Sequence, residues 1–337
     1  MRYKAIIIVS FLVINTFVVQ AEAYARAIYK EVNMLGGYSD RNEWIGEKGM
    51  MLKNSVGFEY FDKFSNDYGD FLTVDLQMRV AYDSQQNSED AWAVEFHNAW
   101  VEHKFGLGKT LRLGHFDPVF GLEPVLDTHG ALLQTLAHEN IGFKKDWGVG
   151  YRSYIGELDY EIAAQLGSGM SIRHKDDSFL LTARVGSTLG TDFQYGISAL
   201  WGQTLKSMQA RTLPVPDLIS DDATRKERLG LDARYEIGSF GFKGEIAGGR
   251  EESQPAGGGL FEIDYIVPKL QALQFKVQQT YWSNDLENSD AKTITLSHVI
   301  SYKVTSYLTV RAGYFHDVYE ESGNEDDQVF LQFYFFG

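Results

Sequence analysis

The sequence predicts an all-β chain that closes on itself as an antiparallel transmembrane β-barrel of about sixteen strands, within a range of fourteen to eighteen. Three observations carry this fold class. Apolar and polar residues alternate with a period of two over segment after segment, the mark of strands with two unlike faces. The links between these segments are alternately short and long, as they are where tight turns gather at one end of a barrel and loops at the other. An export signal precedes them all.

That signal is the first element. Arg2 and Lys4 stand before an apolar stretch from Ala5 to Val19, interrupted only by Ser10, Asn15 and Thr16. Small residues follow as Ala21-Glu22-Ala23 or Ala23-Tyr24-Ala25. A basic start, a short apolar core and an A-x-A site make a secretory signal peptide, and the run is shorter than the roughly 20 residues a spanning helix needs. Cleavage is expected after Ala23 or Ala25, leaving residues 24–337 as a single barrel domain.

The clearest strand runs from Phe71 to Tyr82, with Leu72, Val74, Leu76, Met78, Val80 and Tyr82 on one face and Thr73, Asp75, Gln77 and Arg79 on the other. Leu229, Leu231, Ala233, Tyr235 and Ile237 alternate in the same way with Arg228, Asp232, Arg234 and Glu236. In chain order the expected strands are 28–37, 51–61, 70–82, 93–104, 109–116, 146–156, 157–166 and 178–187, then 192–203, 228–237, 239–250, 259–268, 272–283, 291–301, 306–316 and 328–336. Their lengths approach the roughly 9 to 11 residues that cross a bilayer when tilted.

Short links fall at Gly106-Leu107-Gly108, Ile155-Gly156-Glu157, Leu189-Gly190-Thr191, Gly238-Ser239, Pro268 to Gln271 and Tyr302 to Thr305. Between them lie long polar links: Tyr38 to Met50, Asp83 to Trp92, Asp117 to Lys145, Gly167 to Asp177, Thr204 to Glu227, Glu251 to Gly258, Asn284 to Asp290 and Asp317 to Asp327. The moderately long Asp62 to Gly69 is the exception, which this layout requires to be a turn at the short-link end. An even strand count then puts both termini at that end.

A water-soluble antiparallel sandwich also has one apolar and one polar face. The export signal, the regular meander and the aromatics near strand ends, among them Trp100, Trp147, Tyr151, Trp201, Tyr281 and Tyr314, favour the membrane, where such rings form interfacial belts. In a barrel the polar faces line the lumen, so Asp75, Arg79 and Arg234 are expected to be lumen charges.

The formal net charge of −15 argues against a nucleic-acid partner, since gripping phosphates needs an excess of Lys and Arg. With no Cys in the chain, disulfides, thiolate nucleophiles, Cys-ligated metals and covalently attached c-type haem are excluded. The eight histidines are scattered, without H-E-x-x-H or other ligand spacing, and no metal or cofactor is expected. The acidic group Glu320, Glu321, Glu325, Asp326 and Asp327 lacks the spacing of a calcium loop and reads as a solvated rim. His298-Val299-Ile300-Ser301 misses the His-x-Ser spacing of barrel phospholipases, and no G-x-S-x-G occurs, so the chain is not expected to be an enzyme.

At the C-terminus Val329, Leu331, Phe333 and Phe335 alternate in an aromatic-rich final strand. This resembles the assembly signature of Gram-negative outer-membrane proteins, although the chain ends in Gly337 with Phe336 next to last. The resemblance implies insertion by the barrel-assembly machinery into an outer membrane of lipid and lipopolysaccharide, with short periplasmic turns and long extracellular loops. Over the whole mature chain the layout is similar to that of the general porins, in which the third outer loop folds into the lumen and narrows it. The corresponding loop, 117–145, is the longest. Leu111-Arg112-Leu113-Gly114-His115-Phe116 with Pro118-Val119-Phe120-Gly121-Leu122-Glu123 also resembles a stretch of the phosphate-selective porins, whose lysine-rich ladder has no counterpart here.

On that resemblance Asp117, Glu123, Asp127 and Glu139 are expected to line one side of a pore constriction, and Arg112, Arg152 and Arg184 the other, setting a transverse field across it. The alternative is that the loop acids are solvated and the arginines pair with Asp159, Glu161 or other lumen acids. The function implied is a passive diffusion channel for small hydrophilic solutes or ions, with a homotrimer as its natural assembly. A second reading is a barrel sheath whose lumen holds an exported multihaem cytochrome.

Overall fold

The computed structural model describes residues 22–41, 43–48, 52–84, 91–172, 177–187, 190–205, 223–320, 323 and 325–337. The expected signal segment, up to residue 21, lies outside the described residues. Sixteen long strands make one closed sheet: β1 Glu22–Ser39, β2 Leu52–Asn66, β3 Gly69–Tyr82, β4 Trp92–Gly106, β5 Lys109–Phe116, β6 Asp146–Ile155, β7 Leu158–Gln165 and β8 Phe179–Ser187, followed by β9 Phe193–Leu205, β10 Ala223–Ile237, β11 Phe240–Glu251, β12 Gln254–Ile266, β13 Leu273–Ser283, β14 Lys292–Lys303, β15 Leu308–Tyr319 and β16 Asp327–Phe336. Each is antiparallel to the next, and β16 returns to β1 in a register running from Glu31 opposite Phe336 to Ser39 opposite Gln328. That last pairing removes the open edges that hydrocarbon would leave unsatisfied. Two further short strands, Glu43–Ile45 and Glu47–Lys48, belong to the first long loop.

The period-two pattern becomes inside and outside directly. On β3 Thr73, Asp75, Gln77 and Arg79 are buried within the barrel while Val80 and Tyr82 are exposed on its outer surface. On β10 Leu229 and Leu231 face outward, 68% and 50% exposed, and Arg228 and Asp232 face inward and are buried. Apolar side chains on the outside and charged ones within are the reverse of a soluble sandwich, so the outer surface is the lipid surface.

Two links differ from the sequence reading. The Glu251 to Gly258 link is not a long loop: β11 and β12 continue to Glu251 and from Gln254, joined by Glu252 and Ser253. The run Gly257-Gly258-Gly259 is strand because bulky neighbours lie over it. A Cβ on Gly258 would stand 2.7 Å from the Trp282 ring and 2.1 Å from the Tyr281 carbonyl, the close approach that glycine in a strand signals. The irregular Asp62 to Gly69 link likewise shrinks to Asp67 and Tyr68, since β2 runs on to Asn66. Asp62 tolerates that position by accepting hydrogen bonds from Arg26 Nε at 3.0 Å and from the Tyr60 hydroxyl at 2.7 Å.

Candidate functional site in the barrel lumen

The segment between β5 and β6 follows the inner wall instead of leaving the barrel. It begins with Pro118 and turns through a short 3-10 helix, Glu123–Val125, whose Pro124 sits where no intrahelical donor is needed. A four-residue helix, Ala137–Asn140, follows. Backbone groups along the way find partners on successive strands. Val119 N donates to Thr182 Oγ1 on β8 at 3.0 Å, Gly121 N to Ser198 Oγ on β9 at 2.9 Å, and Leu122 N to Glu245 Oε2 on β11 at 3.0 Å. Gln278 on β13 donates to the Gln134 carbonyl at 3.0 Å. The Gly130 carbonyl accepts from Arg311 on β15 at 2.8 Å and from Gln332 on β16 at 2.9 Å. His129 Nε2 meets Glu31 Oε1 on β1 at 2.7 Å.

Apolar packing reinforces these contacts. Phe120, Ile141 and Phe143 of the loop pack with Leu180, Leu200, Ala247 and Trp282 of the wall. Leu132 and Leu133 pack with Leu35, Val299, Phe315 and Phe330, and Leu122 and Leu136 with Leu260. All these wall residues stand on inward positions, where the rest of the pattern is polar. They form the seat of the loop.

The acids and arginines expected at a constriction have separate places. Asp127 is exposed and caps the turn by accepting from His129 N at 2.9 Å. Glu123 is buried behind the loop, hydrogen-bonded by Thr135 and 3.5 Å from Lys144 Nζ. Its burial raises the carboxyl pKa, and Lys144 opposes that rise. Asp117 pairs with Lys145 at 2.5 Å, and Glu139 is exposed on the short helix. Arg112 pairs with Glu102 at 2.8 Å and lies over the Trp100 ring. Arg152 pairs with Asp159 at 2.9 Å and Arg184 with Asp232 at 2.6 Å. Arg152 and Arg184 border a gap of 30 Å³ facing loop residues Val119, Pro124 and Val125. Of the lumen charges, Asp75 accepts from Asn98 at 3.0 Å, Arg79 holds Glu95 at 2.7 Å, and Arg234 bonds Glu236 near the lower rim.

Beside the loop lies a larger space of about 330 Å³ between residues 122–135 and the wall of β11 to β15. Its charged lining is Asp127 and Glu262 against Lys243, Lys276, Lys303 and Arg311. Lys243 pairs with Glu262 and Asp264 at 2.5 and 2.6 Å, and Lys276 reaches the same two acids at 3.5 and 3.4 Å. Lys303 and Arg311 have no carboxylate partner among the described residues. The sequence reading did not single out these four cations. Each occupies an inward position on its strand, so the signal was their parity combined with the path of the loop, and only the parity is visible in the sequence.

No protein-family model matches the chain, and no curated protein matches it. Solved structures do. The anion-selective porin of Comamonas acidovorans superposes with a TM-score of 0.67 at 10% identity, over 94% of this chain and all of its own. This is a porin fold. OmpF of Salmonella typhi aligns with a TM-score of 0.65 at 10% identity, covering 94% of this chain and 100% of OmpF. The trimer form of the outer-membrane protein OmpT of Vibrio cholerae gives 0.64 at 11% identity, with 94% and 100% covered.

Proposed function

We propose that the chain is an outer-membrane porin, a passive diffusion channel for small hydrophilic solutes or ions, exported by its signal segment and seated among lipid and lipopolysaccharide by the barrel-assembly machinery. The observation that carries the reading is the loop 117–145 held against the inner wall beside a polar, charge-lined space. A loop so placed narrows the lumen without filling it, and charges at that level act on permeants where the field is least screened. The homotrimer is the assembly we infer from the resemblance to trimeric porins.

The cationic side chains around the open space outnumber its acids, which supports a preference for anions despite the negative net charge of the whole chain. The Comamonas neighbour, described as anion-selective, agrees with that sign. A cytochrome sheath finds no such support, since the chain's own loop takes up lumen space that a partner would need.

The test is single-channel recording of the refolded protein in a planar bilayer with a salt gradient. Stepwise conductance with a reversal potential on the anion side is expected, and Asp127→Asn shifts it further that way. A folded, inserted barrel that does not conduct overturns the proposal.

A further inference from the structure

The space of about 330 Å³ beside the loop has two unlike sides. On one stand aliphatic side chains, Leu122, Leu126, Leu132 and Leu133 from the loop with Leu260 and Val299 from the wall. Most of these seat the loop. Leu126 and its neighbour in the lining, Ala131, are only half-buried and give the space an apolar surface. On the other side stand the cations of β11 to β15.

The cations divide by what they already hold. Lys243 and Lys276 are balanced by Glu262 and Asp264. That leaves two cations, Lys303 and Arg311, against one acid, Asp127, so the lining has one positive charge in excess. Arg311 is held in place. Its Nη1 donates to the Gly130 carbonyl at 2.8 Å and to Gln332 Oε1 at 2.9 Å, and its guanidinium lies over the Tyr334 ring, 5.3 Å from the centroid. Its other edge, Nε with Nη2, meets no acceptor among the described residues. Two parallel N–H donors on a fixed plane match the two oxygens of a carboxylate.

We propose that this space is a binding site for monocarboxylates with a small hydrocarbon body, the carboxylate on the Nε–Nη2 edge of Arg311 and the body against Leu126 and Ala131. Resting on the reading of the chain as a channel, this names the class of solute that lingers on its way through. A single carboxylate cancels the single excess charge, whereas a dianion overcompensates it beside Asp127. An apolar surface with a few polar groups that fix orientation is the ordinary make-up of a small-molecule site. Lys303, at the lower end of β14, then draws anions in general, and Arg311 selects among them by shape.

The test is block of the single-channel chloride current by hexanoate. Acetate carries the charge without the body, hexanamide the body without the charge, and inorganic phosphate is the compact oxyanion. Hexanoate is expected to block at a concentration at least about tenfold below any of these. Arg311→Lys keeps a charge but not the fork, and should cut the advantage of hexanoate over hexanamide about tenfold. Because Arg311 also holds the loop tip, Leu126→Asn is the second variant, and it should cut the advantage of hexanoate over acetate by a similar factor. Equal block by hexanoate and acetate, equal block by hexanamide, or phosphate as the strongest blocker overturns the proposal while the chloride current still supports the channel. Hexanoate block that neither variant changes overturns it too, since the solute then binds elsewhere. A barrel that carries no chloride overturns the channel reading instead. Retention of radiolabelled hexanoate and acetate by the detergent-solubilised barrel then decides the site, and equal retention overturns it.

Discussion

Two parts of the inner wall carry charges of both signs and use them differently. On β1 to β4 the loop covers the wall, and Glu31, Arg79 and Glu95 are each at most 3% exposed. Arg79 and Lys53 converge on Glu95 at 2.7 and 3.6 Å, with Asp83 3.2 Å from Lys53. On β11 to β15 the loop touches the wall at intervals and leaves an open space beside residues 122–135, where Lys276 is 26% exposed and Lys303 faces the lumen. A charge on a lumen-facing position is thus a permeation charge only where the loop leaves space beside it. The covered set is structural, because a buried ion that loses its partner keeps the cost of its desolvation.

The largest expected effect tests that division. Glu95→Leu leaves Arg79 and Lys53 short of an acid in a dry environment and should lower unfolding stability by about 3–5 kcal/mol, as for other broken buried pairs. Lys303→Gln, on the open side, should stay within about 0.5 kcal/mol of the parent. Urea titration, followed by the shift in gel mobility on unfolding, measures both, and equal losses would remove the distinction between the two walls.

Next in size is the loop tip. Gly130 has φ +63°, and a Cβ there would stand 2.4 Å from the Tyr334 ring. Gly130→Ala combines left-handed backbone strain, about 1–3 kcal/mol, with a clash that pushes residues 127–130 from the wall. Larger or noisier unitary currents are expected, and unchanged conductance would show that the tip does not border the permeation path.

Sequence reasoning reached the barrel because each strand writes its two faces as alternate residues, and all sixteen expected strands correspond to strands of the sheet. It was weakest at strand ends. Ala256-Gly257-Gly258-Gly259 looks like loop composition, and only the ring of Trp282, brought alongside by β13, explains why it is strand. The site was less legible for a related reason. Which inward charge meets open space depends on where residues 117–145 lie, and that path is set by wall residues such as Leu180, Leu200, Leu260 and Val299. In the sequence these are single apolar residues out of phase, meaningful only when assembled around the barrel. Arg112, Arg152 and Arg184 stood out as cations beside the long loop, yet their nearest neighbours are Glu102, Asp159 and Asp232.

A smaller effect comes from His138 in the short helix of the loop. Burial and the nearby Lys144 hold its pKa down to about 4, against an ordinary 6.5. A depressed value means the neutral ring is favoured in the folded loop. That stability is present above about pH 6.5 and is lost as pH falls towards 4, by no more than about 1.4 kcal/mol per pH unit, and by less since the ring is only half-buried. Between pH 7 and pH 5 the unfolding temperature of the parent should fall further than that of His138→Phe. Parallel falls would assign the acid sensitivity to other groups.

The smallest effect bears most directly on function. Lys276 shares Glu262 and Asp264 with Lys243, so that group of four is close to neutral, whereas Lys303 stands at the lower end of β14 with no carboxylate partner among the described residues. A unit charge about 7 Å from a permeating ion in water is worth about 0.6 kcal/mol, roughly halved by screening at ~0.1 M salt. It acts with opposite sign on anions and cations, so their permeability ratio changes about threefold. Lys303→Gln should therefore lower the anion-to-cation ratio about threefold, and Lys303→Arg should leave it unchanged. Raising the salt from ~0.1 M to ~1 M shortens the screening length from about 10 to about 3 Å and should erase most of the difference. If Lys303→Gln has no effect while Lys276→Gln does, the paired charges set selectivity after all, and the contrast between compensated and uncompensated cations within the open wall fails.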